Sequence, residues 1–367
     1  MRIAIACGGT GGHTFPGLAV GRALLARGHE VEVLSAGRAI EGATLKGWDG
    51  AVFVTGAPKS PSRHPLALLA SLVRTARRLK ATRAEALLAM GSYASLPPVL
   101  AARLLRLPVV LHEANAVPGK SIAFLSRFAS AVALTFPGTA RYFRHRAKTV
   151  ITGLPSRVEL LSQTPLDFLT TSSSASCGGT PSCGAASVAT ILVTGGSQGA
   201  YEMNRRVAEA LATLSARPGT PRFRVIHQTG SWRDAEEATR ARYASASVEA
   251  LVTPFIAEMG GAYKAADLVV ARAGAATCAE IALFGKPSLL IPLPTAVRDH
   301  QFLNAKYLAD AGAAAVMRQE TCEPKALADA IGALLAAPSR LAEMSRAALS
   351  LASPDAATKL AEVLEQL

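Results

Sequence analysis

Along this chain, short apolar runs rich in Val, Ile, Leu and Ala alternate with longer stretches of helical periodicity. The short runs predict strands at 2–7, 31–34, 51–54, 86–90, 108–112, 131–134 and 149–152 in the first half. In the second half they predict strands at 189–195, 222–228, 248–253, 267–271, 287–292 and 313–317. The longer stretches predict helices, among them 16–27, 65–80, 199–215, 274–284 and 299–311. Strand–helix alternation of this kind implies parallel sheets covered by helices, the α/β class.

The two halves open alike. Ile3-Ala4-Ile5-Ala6-Cys7 runs into Gly8-Gly9-Thr10-Gly11-Gly12-His13, and Ile191-Leu192-Val193-Thr194 runs into Gly195-Gly196-Ser197-Gln198-Gly199-Ala200. Each reads as a buried strand, a glycine turn and a helix, so each half starts its own doubly wound sheet. Between them, Thr170–Thr190 has no charged or aromatic residue. It reads as a linker or surface insertion, because that composition builds no core. The boundary falls near 158, giving domains 1–158 and 159–352. From about 353 a tail begins with Pro354 and carries a helical pattern at Ala357, Leu360, Val363 and Leu364; in two-domain proteins of this type it packs back on the first domain.

Composition agrees. A chain of 367 residues suits two domains of about 150–200 residues each, and 50% hydrophobic with 18% charged residues describes a well-cored protein. Charge is placed unevenly. Residues 1–150 hold 20 Lys+Arg against 6 Asp+Glu, a net +14, and residues 151–367 hold 19 against 20, a net −1. The first half is therefore expected to meet something anionic: nucleic acid, an acidic membrane or a phosphorylated substrate. Aromatics are only 5% of the chain and are not interleaved with the basic residues on strands, which argues against nucleic acid. Of the five cysteines only Cys177 and Cys183 are closely spaced. Neither a disulfide framework nor a metal site is expected, and a reducing cytoplasm is the simpler setting. The opening run breaks at Gly8 and reads as a strand rather than a secretion signal. No stretch approaches the ~18 apolar residues needed to cross a bilayer, so any membrane contact is made from the side.

A glycine turn between strand and helix leaves N–H groups at the positive end of the helix dipole, where phosphate oxygens fit. A tight strand–helix connection is the plainer alternative for either loop. Neither matches a nucleotide fingerprint: Gly9-x-Gly11-x-x-Thr14 lacks the third glycine of the dinucleotide motif, and no GxxxxGK[ST] occurs. Glu32, about 20 residues after the first loop, keeps an NAD(P)-dependent oxidoreductase as a competing class. The broken fingerprint and the second glycine loop stand against it.

The full first loop, Gly8 to Gly17, resembles the first signature of the MurG family, the undecaprenyl-diphospho-muramoylpentapeptide β-N-acetylglucosaminyltransferases. Similar segments follow in order: Gly91-Ser92-Tyr93, His112-Glu113-Ala114-Asn115, Gly195 to Ala200, Phe255 to Met259, Arg272 to Glu280, and Arg298-Asp299-His300-Gln301-x-x-Asn304. Three positions depart from the pattern. Ser92 and Ala114 stand where the family has glycine and glutamine, and Gly153-Leu154-Pro155-Ser156-Arg157 lacks the usual Asn-Pro pair before the arginine.

The resemblance implies the glycosyltransferase-B fold, two Rossmann-like domains facing a cleft, the donor held mainly by the second. It implies UDP-N-acetylglucosamine as donor, lipid I as acceptor, peptidoglycan synthesis as the setting and the cytoplasmic face of the membrane as the place. A related transferase acting on a diacylglycerol is the nearest alternative. Residue by residue, Ala275, Ala276, Thr277, Cys278, Ala279 and Glu280 should meet the diphosphate and ribose, and Ser197 and Arg157 should contact phosphate. The Ile256 backbone should pair with uracil. Asn115 and Gln301 should hold sugar hydroxyls, with Thr10, Gly11 and Gly12 at the sugar's far side. Inverting transfer needs a base for the acceptor hydroxyl; His13 is the first candidate and Glu113 the second. The plainer role for His13 is a hydrogen bond to a diphosphate or a helix cap. No Asp-x-Asp pair occurs, so no cofactor or metal is expected, and helix N-termini would balance the leaving diphosphate.

The apolar-then-basic stretch 65–80 adds a membrane expectation. Leu66, Leu69 and Val73 fall on one side and Leu68, Leu72 and Leu79 on the next. Arg74, Arg77, Arg78 and Lys80 supply cations for an anionic leaflet. A core helix with a solvated basic end is the alternative.

Overall fold

The computed structural model describes residues 1–8, 11–45, 47–60, 62–143, 148–156, 158–166, 188–196 and 199–367. The chain divides into two compact units, Met1–Val158 with Ser353–Leu367, and Glu159–Ala352.

The first unit runs β1 (Arg2–Ala6), α1 (Gly11–Ala26), β2 (Glu30–Ser35), α2 (Ala39–Thr44), β3 (Ala51–Val54), α3 (Pro65–Ala81), β4 (Ala86–Ala89) and α4 (Leu96–Leu104). It continues with β5 (Val109–Glu113), α5 (Lys120–Leu125), β6 (Ala131–Leu134) and β7 (Lys148–Ile151). Its sheet has the order β3-β2-β1-β4-β5-β6-β7 with every pairing parallel. Alternate residues feed opposite faces, as the two-residue strand period demands. Ile3 and Ile5 pack with Leu18 and Leu24 of α1, whereas Ala4 and Ala6 pack with Leu79, Val99 and Leu111 on the other side. The strand order reverses direction between β1 and β4, and in such sheets ligands gather beyond the strand ends at that point.

The second unit runs β8 (Ala189–Thr194), α6 (Tyr201–Ser215), β9 (Phe223–Gln228), α7 (Ala235–Ser245), β10 (Ala250–Thr253), α8 (Met259–Ala265) and β11 (Leu268–Ala271). Then follow α9 (Ala275–Leu283), β12 (Ser288–Leu290), α10 (His300–Asp310), β13 (Ala314–Val316), α11 (Pro324–Leu335) and α12 (Pro338–Ser350). The sheet order is β10-β9-β8-β11-β12-β13, again all parallel. Ile191, Val193, Val225 and Val270 form its core with Val207, Leu211 and Leu214 of α6 and Leu327, Ile331 and Leu334 of α11.

The chain then returns to the first unit as α13 (Ala356–Glu365), whose Leu360, Ala361 and Leu364 join the core of β1 and α1. Glu365 accepts from Arg27 at 2.7–2.8 Å and bonds the His29 ring at 2.7 Å. Gly153 makes room for this return: its φ is +80° and a Cβ there would lie 2.4 Å from Ser353 Cβ.

All thirteen strands occur within two residues of the runs that predict them. One helix start differs. α1 begins at Gly11, not at 16, with Pro16 inside it. Proline lacks the N–H that would bond four residues back. At the sixth position that loss falls on Gly12, so the first turn forms ahead of it. The low-complexity stretch, with Cys177 and Cys183, falls almost wholly on 167–187, outside the described residues.

Candidate active site

In the first unit three loops meet beyond β1, β4 and β5. The ring of His13, third residue of α1, is bonded through Nδ1 to the Met90 carbonyl oxygen at 2.9 Å. A carbonyl only accepts, so Nδ1 carries the hydrogen and Nε2 is the basic nitrogen. Burial pushes the His13 pKa below its ordinary value, against the pull of the Met90 bond, so the ring is neutral at pH 7. Gly91 is what allows the close approach. Its φ is +103°, and a Cβ there would stand 3.2 Å from His13 Cε1.

Ser92 follows at φ 62°, ψ 171°, a region that favours glycine almost alone. Its hydroxyl donates to the Gly8 carbonyl at 2.8 Å and accepts from the Ala94 N–H at 3.1 Å. The β4 loop is thereby tied to the start of the first glycine loop. Sequence reading marked Ser92 as a departure without seeing this use.

Glu113 ends β5 and is buried. Oε1 accepts from the Asn115 backbone at 2.9 Å and from Asn115 Nδ2 at 3.3 Å, and Oε2 accepts from the Gly119 N–H at 3.0 Å. Burial pushes its pKa up to about 7, although these N–H groups favour the charged form. Both oxygens are thus engaged in shaping the 114–119 loop that carries Asn115. Its neighbour His112 escaped the sequence reading as a candidate. It is buried, bonded through Nε2 to the Gly153 carbonyl at 3.1 Å, and its Nδ1 has no described partner. Burial lowers its pKa to about 4, with the nearby His13 adding to the shift.

Glu32 does not lie where a ribose-binding acid would. It sits mid-way along β2, and its carboxylate is held by Arg78 of α3 at 2.6–3.2 Å. That ion pair also removes Arg78 from the cations free to meet an anion.

In the second unit the glycine turn after β8 packs on the loop after β9. A Cβ on Gly199, at φ +73°, would lie 2.5 Å from the Thr229 carbonyl oxygen, so only glycine fits. Beyond β11, Gly274 caps α9 and leaves the half-buried first turn, Ala275 to Thr277, with N–H groups that have no carbonyl four residues back. The Cys278 N–H already donates to the Gly274 carbonyl at 2.9 Å, and its buried thiol is pushed up to about 12. Ala279 follows it inside the helix. Glu280 Oε2 accepts from the Tyr263 hydroxyl at 3.1 Å. Gln301, near the start of α10, accepts the Leu293 N–H through Oε1 at 3.0 Å, which turns its Nε2 donor outward from that bond. The Ile256 N–H donates to Gln228 Oε1 at 3.2 Å, leaving the Ile256 carbonyl as the polar group that a base edge would find. Behind these loops, the buried Arg272 guanidinium donates to the Ile291 and Pro292 carbonyls and to Gln319, with no carboxylate among its described partners.

Gly11 and Gly12 form the first residues of α1. Thr10, Arg157 and Ser197 lie outside the described residues, as does Gln198. Among the described residues no group of three or more His, Cys, Asp or Glu is disposed to hold a metal ion.

Comparison with known proteins decides what these parts belong to. Residues 3–134 match the glycosyltransferase family 28 N-terminal domain and residues 190–360 its C-terminal domain. The chain is 41% identical, over 98% of its length and 97% of the relative's, to a protein of Pseudomonas savastanoi pv. phaseolicola. That relative is named UDP-N-acetylglucosamine--N-acetylmuramyl-(pentapeptide) pyrophosphoryl-undecaprenol N-acetylglucosamine transferase. This chain is also 39% identical, over 99% of its length and 80% of the relative's, to a protein of the same name from Xanthomonas euvesicatoria pv. vesicatoria. The crystal structure of Acinetobacter baumannii MurG covers 100% of both chains at 33% identity and a TM-score of 0.79. The chain belongs to the MurG family. Its two parallel-sheet units are those of the glycosyltransferase-B fold. A UDP-GlcNAc 2-epimerase of Neisseria meningitidis, at 12% identity and a TM-score of 0.70, shares that fold alone. MurG-family membership makes this chain a glycosyltransferase and removes the oxidoreductase alternative, in line with Glu32 being bound to Arg78.

Proposed function

We propose that this protein transfers N-acetylglucosamine from UDP-N-acetylglucosamine to the muramoyl sugar of lipid I, undecaprenyl-pyrophosphoryl-MurNAc-pentapeptide, giving lipid II. The observation that carries the reading is 41% identity, over nearly the whole chain, to a transferase named for that reaction.

In this reading the second unit holds the donor. The Ile256 carbonyl accepts from the uracil N3–H. Glu280, steadied by Tyr263, accepts from the ribose hydroxyls. The N–H groups of Ala275, Ala276 and Thr277 meet the diphosphate, Cys278 and Ala279 serving as helix beneath them, and Ser197 and Arg157 add phosphate contacts. Gln301 donates to a sugar hydroxyl. The first unit supplies the base and receives the acceptor, with Asn115, Thr10, Gly11 and Gly12 lining the sugar side. His13 Nε2 takes the acceptor's hydroxyl proton as its oxygen attacks the anomeric carbon; the bond to the β-phosphate breaks and UDP leaves with both electrons. Glu113 shapes the Asn115 loop and is the alternative base.

The lipid-linked acceptor implies a membrane surface. In α3 the large apolar side chains Leu66 (81% exposed), Leu69 (57%) and Val73 (38%) face outward, while its buried positions are Ser71, Thr75 and Leu79. With Phe53 and Arg77 they line an open groove of about 710 Å³. A helix that buries serine and threonine while exposing leucine is arranged for a second apolar phase. Among the described residues no helix is long and apolar enough to cross a membrane. In this reading docking is peripheral, at the inner face of the cell membrane, through the first unit. The experiment that tests the activity is transfer of labelled sugar from UDP-N-acetylglucosamine to a lipid I analogue.

A further inference from the structure

Gln228 is the last residue of β9, the strand between β8 and β10, and it lies in register with Thr194 and Thr253. Each neighbour is the final residue of its strand. Beyond Thr194 the chain enters the glycine turn, and beyond Thr253 it enters the Ile256 loop. The Gln228 side chain is buried, 1% exposed. Its Nε2 donates to the Gly196 carbonyl at 2.9 Å and its Oε1 accepts from the Ile256 N–H at 3.2 Å. One partner is an acceptor only and the other a donor only, so the amide has a single orientation and no other side chain of this shape satisfies both.

We propose that Gln228 is a positioning residue that couples the base-recognition loop to the phosphate loop and fixes their spacing for a nucleoside diphosphate. This deepens the donor reading and rests on it. Uracil and diphosphate are joined through ribose at a set separation, so both ends bind together only if the two loops keep that separation. Among the described main-chain hydrogen bonds, none joins Gly196 directly to the Ile256 loop. The neighbouring bonds from Thr229 to Thr253 and from Gly230 to Pro254 secure the base side, and the Gly196 N–H turns back on Thr194 Oγ1 at 3.2 Å. Gln228 is the described side chain that reaches both loops. A carboxylate in its place still accepts from Ile256 but sets oxygen against the Gly196 carbonyl, which uncouples one loop selectively.

The test compares wild type with Gln228→Glu and Gln228→Met in the full-length protein. It measures binding of UDP and of uridine, transfer kinetics and hydrogen exchange of the Ile256 amide. Gln228→Glu should raise the UDP Kd and the donor KM by about tenfold or more while kcat and the uridine affinity stay within about threefold. Gln228→Met should weaken uridine as well. In the ligand-free wild type the Ile256 amide should exchange slowly, a readout that needs no variant to fold. Wild-type UDP binding in both variants, an equal loss for uridine and UDP in Gln228→Glu, a fall in kcat without KM, or a fast-exchanging Ile256 amide each overturns the proposal. If wild type itself fails to bind UDP, the donor reading falls, and this inference with it.

Discussion

The His13 ring and the Met90 carbonyl are joined by a 2.9 Å hydrogen bond that fixes which imidazole nitrogen is basic. The bond reaches from the first turn of α1 to the end of β4, across the point where the strand order reverses. A half-buried, neutral histidine with its Nδ1–H committed is an acceptor for a proton at Nε2.

Replacing His13 by Ala should therefore lower kcat by roughly 10²–10⁴ with a smaller change in donor KM. The pH profile separates the two candidate bases. A base works when unprotonated, so activity falls as pH drops through its pKa. Burial holds His13 below 6.5 and pushes Glu113 to about 7. If His13 is the base, kcat/KM stays flat from pH 8 down to about 6.5 and declines only below that. A decline already centred near 7, together with an active His13→Ala enzyme, would hand the role to Glu113.

Glu280→Ala should raise the donor KM by removing a charge-assisted contact of about 1.5–3 kcal/mol. Tyr263→Phe should raise it less, because it removes one hydrogen bond to the carboxylate without removing the charge. Steady-state kinetics at saturating acceptor read both. Wild-type KM in Glu280→Ala would remove the ribose assignment.

The sequence carried the fold well because both sheets are parallel and their central strands, such as β1, β4, β8 and β11, are buried apolar runs that need no partner to be recognised. The helix start at Gly11 was missed because proline usually marks a first turn and here lies inside the helix. The candidate site was legible where it consists of backbone, in the glycine turns and the α9 N-terminus. It was hidden where it consists of side chains serving loops remote in sequence. Gln228 and Ser92 bond to residues 28 and 84 positions away, and no periodicity reports such partners. Glu32 kept the oxidoreductase alternative open for the same reason: its spacing from the glycine loop suits a ribose, and only the fold brings Arg78 to it.

Ser92 gives a stability prediction with an unusual order. Ser92→Ala keeps the left-handed φ and loses both hydroxyl bonds, whereas Ser92→Gly loses the bonds and also the backbone cost. The alanine variant should be less stable than the glycine variant by about 1 kcal/mol or more in denaturant unfolding. Equal stability would mean that the backbone relaxes at this position.

The α3 surface predicts membrane binding in two separable parts. Leu66, Leu69 and Val73 changed together to Ser should lose binding to all vesicles. Arg74, Arg77 and Lys80 changed to Ser should lose only the preference for anionic lipid, a preference that salt also weakens. Co-sedimentation with neutral and anionic vesicles distinguishes them. No sedimentation of wild type would remove the docking surface altogether.

The most direct test of the central claim is the transfer reaction itself. Wild-type protein is incubated with a lipid I analogue and labelled UDP-N-acetylglucosamine or UDP-glucose, and the lipid product is quantified. β-linked transfer of N-acetylglucosamine is expected, with kcat/KM for UDP-glucose lower by about tenfold or more because partners of the acetamido group are left unpaired. Activity should persist in EDTA, since α9 and the glycine turn are assigned the leaving diphosphate. No transfer to the lipid I analogue, alongside transfer to a diacylglycerol, would contradict it.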